Sequence, residues 1–144
     1  MTTANLHETL INNQLRMNFL TLQLSELQSQ KLLATYSQAD VHQLKSQDEE
    51  AVRDMYKAMY SNDPELKELY KDFTKIPDFE EEMDKITAKY QDELMQLAAW
   101  ETALDAEIKT DSAELEELKA YQESWKSMLQ SSISEEFNYA SLGS

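Results

Sequence analysis

Only three residues in this 144-residue chain belong to the types that break regular backbone structure, namely Pro64, Pro77 and Gly143. That scarcity decides more than any motif does. A sheet protein needs turn residues at short intervals, and tight hairpins draw on glycine for their positive φ angles. Leu, Glu, Lys, Gln, Ala and Met, all good helix formers, fill the chain instead. The sequence predicts an all-α protein with very long uninterrupted segments.

The apolar spacing gives those segments a partner. From Tyr90, alternating steps of four and three meet Tyr90, Leu94, Leu97, Glu101, Leu104, Ile108, Asp111, Leu115, Leu118, Gln122, Trp125 and Leu129. Nine of these twelve positions are apolar, the seam of a coiled coil rather than the face of a solitary helix. Met83 and Ile86 extend the seam upstream, and Ile133 extends it downstream. Asp111 and Glu114 have the spacing of a capping box. The heptad nevertheless crosses Thr110-Asp111-Ser112 without a shift, so we read one helix over 79–133, about 80 Å long at 1.5 Å per residue.

The first half carries a looser version of the same repeat, through Leu10, Asn13, Met17, Leu20, Leu24, Leu27, Lys31, Ala34, Gln38, Val41, Lys45, Asp48, Val52, Met55 and Met59. Thr35 to Asp40 is rich in side chains that compete for backbone hydrogen bonds, a place for a kink in a helix over 5–61. Asp63-Pro64 is a helix start, with Asp63 as N-cap and proline at the first helical position. A short helix over 64–75 should bury Leu66, Leu69, Tyr70 and Phe73, and stop before Pro77. Asp78 with Glu81 reads as the cap of the last helix, and residues 134–144 as a weakly patterned tail that frays or docks onto a neighbour. The expected architecture is a single domain, a long antiparallel helical hairpin with a short connecting helix.

The stretch LRMNFLTLQL, Leu15 to Leu24, alternates like a strand, yet it lies inside the heptad. Its alternation resolves into two helical stripes. Met17, Leu20, Leu24 and Leu27 belong to the seam facing Leu94, Leu97, Leu104, Ile108, Leu115, Leu118, Trp125 and Leu129. Leu15, Phe19 and Leu22, with Ile11 one turn earlier, remain on the other side as a candidate protein interface. Including Leu6, Leu10, Leu32 and Leu33, the apolar residues of this segment wrap more than half the helix, and a helix apolar on two faces has neighbours on both. Burying a side chain of this size contributes about 1.5–3 kcal/mol. The competing arrangement is a monomeric bundle, in which the tail and a bent first helix fold back over the stripe.

Charge and chemistry exclude much else. The formal charge of −15 is concentrated late in the chain: residues 1–39 are neutral, 40–77 carry −3 and 78–144 carry −12. No basic patch is present to release counterions from nucleic acid or to hold an anionic membrane, and no apolar run approaches the roughly 20 residues of a membrane span. Without cysteine there are no disulfides or thiolate metal sites. A phosphate-binding glycine loop and an EF-hand both need glycines that the chain lacks, so Glu80-Glu81-Glu82-Met83-Asp84 reads as a favourable helix N-terminus. Neither His7 nor His42 has the spacing of a di-iron or zincin motif, and both read as surface residues. The expectation is a non-enzyme with no cofactor, no metal and no catalytic residues. The start of the chain lacks a basic signal-peptide n-region, so both a cytoplasmic location and export without a cleavable signal fit.

Two resemblances accompany this reading. Leu15 to Gln30, with Arg16, Leu20-Thr21, Leu24 and Leu27, then Leu33-Ala34-Thr35-Tyr36-Ser37, resembles the opening of small uncharacterised helical bacterial proteins. The end, from Glu114 through Trp125-Lys126 to Phe137, is similar to how such chains finish. That group has no established activity, so the resemblance brings no functional residue. A first and a last helix paired around a short cap also resemble subunits of flagellar and type III secretion filaments, a similarity of fold alone. The expected function is a structural protein that self-assembles through its first helix, with a filament as one form of the assembly. The alternatives are a helical adaptor or export chaperone that binds another protein's amphipathic helix, and a phage or virion scaffold component.

Overall fold

The computed structural model describes residues 2–142. It contains α1 (Thr3–Asn62), α2 (Pro64–Leu69), a 3-10 turn (Phe73–Lys75) and α3 (Pro77–Leu142), with no strand among the described residues. The two long helices pack against each other as a helical hairpin, the all-α architecture expected from the lack of turn residues.

Both long helices run unbroken, α1 through residues 35–40 and α3 through residues 110–112. Thr35 Oγ1 donates back to the Lys31 carbonyl at 3.1 Å, and Thr110 Oγ1 donates to Ala106 at 3.0 Å. These hydroxyls share carbonyls already inside the helix instead of pulling the backbone out of it. The Asp111–Glu114 capping box does not form, since both residues lie within α3 and Glu114 is held by Arg16. The expected tail over 134–144 is replaced by helix as far as Leu142, and Gly143 and Ser144 lie outside the described residues. No glycine or proline stands between Pro77 and Gly143 to stop the helix. The start of α1 also meets α3 near there, where Thr3 Oγ1 bonds Ser132 Oγ at 2.8 Å and Glu136 Oε1 at 2.5 Å.

The connection is tighter than one helix over 64–75. Asp63 caps α2 by accepting from the Glu65 N–H at 3.0 Å, with Pro64 behind it. The chain leaves the helix at Tyr70, whose backbone is extended. There the Tyr60 hydroxyl donates to the carbonyls of Tyr70 and Lys71 at 3.1 and 3.0 Å, satisfying acceptors that a longer helix would have used internally. Leu69, expected to be buried, is consequently exposed. Asp72 caps the 3-10 turn through the Thr74 N–H at 2.8 Å. Ile76 is extended, as a residue before proline must be, so α3 begins at Pro77 and Asp78 sits in its first turn rather than capping it. Ile76 is buried beside an aromatic group in which Phe79 meets Tyr56 and Phe73 edge to face, at 5.4 and 5.5 Å.

By packing, the chain divides into two units, one of α1 up to Gln30 with α3 from Leu104, the other of Lys31–Ala103. In the first, Leu6, Leu10, Leu20 and Leu27 are buried on α1 and Leu104 on α3. Asn13 and Gln122 interrupt this seam as a buried pair, with Asn13 Nδ2 donating to Gln122 Oε1 at 2.6 Å and to the Leu118 carbonyl at 3.1 Å. Sliding one helix by a heptad would set Asn13 against Leu115 or Leu129, and Gln122 against Leu6 or Leu20, burying unpaired amides. Asp111 is the exception to this pairing, for its Oδ2 is shielded from water and has no hydrogen-bond partner.

In the second unit Val41, Ile86 and Tyr90 form the core, with Val52, Met83, Leu94 and Leu97 packed around it. Two more seam pairs are polar on both sides. Gln38 donates to Glu101 at 2.5 Å, and the Tyr90 hydroxyl donates to Asp48 Oδ2 at 2.5 Å, with Lys89 Nζ at 3.3 Å from the same oxygen. The seam also changes phase here. Met55 and Met59, expected on it, are exposed, while Tyr56 is buried and Tyr60 half-buried. The steps become 52, 56, 60 on α1 and 86, 90, 94 on α3. An extra step of four is a stutter, which relaxes the supercoil.

Two outcomes test the polar pairs. Asn13→Leu alone should destabilise the fold by about 1–3 kcal/mol, because Gln122 stays buried without its donor; Asn13→Leu with Gln122→Leu should recover most of that loss in urea denaturation. Asp48 is held below the usual carboxylate range, first by the Tyr90 hydroxyl and then by Lys89, and Asp48 in turn raises both of them. A lowered carboxyl stabilises the fold above its ordinary titration range and loses that effect as the pH falls through its folded value. The gap between wild type and Asp48→Asn should therefore be open at neutral pH and narrow as the pH falls below the usual carboxylate range.

Candidate protein interface

Helical geometry, about 100° per residue, sorts the segment from Leu6 to Leu27 into an inner and an outer face. On the inner face Leu20 has no exposed surface, Leu27 is buried, and Met17 and Leu24 are half-buried. On α3, Leu104 is buried and Leu94, Leu97, Ile108, Leu115, Leu118, Trp125 and Leu129 are half-buried. On the outer face Ile11, Leu15, Phe19 and Leu22 keep 49%, 62%, 55% and 72% of their surface in water. Four large apolar side chains thus line about 17 Å of one helix with nothing over them.

The surroundings of this stripe are uncharged to an unusual degree. From Thr9 to Ser25 the only charged residue is Arg16, in a chain where 28% of residues are charged. Arg16 is already engaged within its own unit. Its Nε and Nη2 donate to the two carboxylate oxygens of Glu114 at 3.1 and 3.2 Å, and its guanidinium lies 5.3 Å from the centre of the Phe19 ring. Gln14 donates to Asn18 at 2.9 Å, and Thr21 donates to the Met17 carbonyl at 2.9 Å. The rim polar groups therefore spend hydrogen bonds on one another, which lowers the cost of drying this face.

The fold-back arrangement does not occur. Ile11, Leu15, Phe19 and Leu22 are exposed, and Phe137, Tyr139 and Leu142 on the last turns of α3 are strongly exposed themselves. Their apolar character is plain in the sequence; that they project from a helix instead of folding back is not.

A groove of about 400 Å³ in the second unit is lined by Gln38, Lys45, Gln91 and Leu94, with His42 among them. Its lining contains no carboxylate, so acid–base work by paired carboxylates is unavailable there. His7 and His42 are both exposed. Among the described residues no cluster of His, Cys, Asp or Glu could hold a metal ion, and no helix is long and apolar enough to cross a membrane. Compared with models of protein families, with curated proteins and with solved structures, the chain finds no match.

The two faces should respond differently to truncation. Leu20→Ala removes a fully buried side chain and should cost about 2–5 kcal/mol, whereas Leu22→Ala should stay within about 0.5 kcal/mol, by urea denaturation of the dilute protein.

Proposed function

We propose that this protein is a non-enzymatic structural protein that self-assembles through the outer face of α1, with a filament as one form of the assembly. The observation that carries the proposal is the uncovered stripe Ile11–Leu15–Phe19–Leu22, in a segment from Thr9 to Ser25 whose single charge, Arg16, is paired with Glu114. Isolated exposed leucines are ordinary, but a contiguous apolar row with one charge, already paired, has the composition of the dry centre of an interface. The burial of the other stripe supports the same reading: the fold does not need Phe19 or Leu22 for its own seam. Their apolar character therefore calls for a contact beyond the hairpin.

Light scattering against concentration tests the proposal. The wild-type protein should shift to species heavier than one chain as concentration rises. Phe19→Glu with Leu22→Glu should abolish the shift and leave the far-UV circular dichroism within a few per cent of wild type. A wild-type protein that stays a monodisperse monomer at high concentration overturns the proposal. So does a double variant that assembles as the wild type does.

A further inference from the structure

We draw no further inference here: the strongest candidate, the apolar stripe Ile11–Leu15–Phe19–Leu22 on the outer face of α1, belongs to the surface already described, and nothing in the structure shows what covers it.

Discussion

The apolar seam between α1 and α3 holds the hairpin together, and three polar pairs inside it choose which residues meet. Leucine against leucine is nearly as good one heptad away, so an apolar seam alone tolerates sliding. Asn13 with Gln122 in one unit, and Gln38 with Glu101 and Asp48 with Tyr90 in the other, remove that tolerance. The Asn13–Gln122 pair is buried, so a neighbouring register would leave its amides shielded and unsatisfied; the other two pairs are only partly buried and favour the same register through their hydrogen bonds. These positions look like defects when the heptad is counted along one helix. They become a matching code once the two helices are laid side by side. Asp111 is the one seam residue that retains the cost without a partner, at the Oδ2 atom.

The same seam explains why the α1 outer face is free. A two-helix contact uses one narrow stripe of each helix, and the inner row from Leu6 to Leu27 already supplies it. Ile11, Leu15, Phe19 and Leu22 stand on the opposite side of a helix that has no turn residue with which to fold back. Charge is segregated along with hydrophobicity. The acids are concentrated from residue 78 on, where they keep that part of the surface wetted and mutually repelling, while Thr9 to Ser25 stays neutral around its single, paired arginine.

How much of this was legible beforehand differs element by element. The assignment of Leu20 and Leu27 to the inside and of Leu15, Phe19 and Leu22 to the outside follows from a period near 3.6, which local spacing carries completely. The phase change at Met55 and Met59 was not visible from α1 alone. Tyr56 and Tyr60 compete for the seam there, and the choice goes to the tyrosines because Phe79 receives the Tyr56 ring while the carbonyls of Tyr70 and Lys71 receive the Tyr60 hydroxyl. The end of α2 is not legible locally for a related reason, since the acceptor competition that stops it comes from a tyrosine on another helix.

The sequence by itself determined that this protein is helical, that its helices are long and that each carries an apolar seam. Those properties depend on propensity, turn chemistry and spacing, all of which act within a few residues. Tertiary structure decided the register, the phase of the seam beside the connection, the continuation of α3 to Leu142 and which apolar residues remain in water. Each of these depends on what one helix presents to the other across the seam, and a hydrogen bond such as Asn13 to Gln122 joins residues too far apart in the chain for any local pattern to pair them.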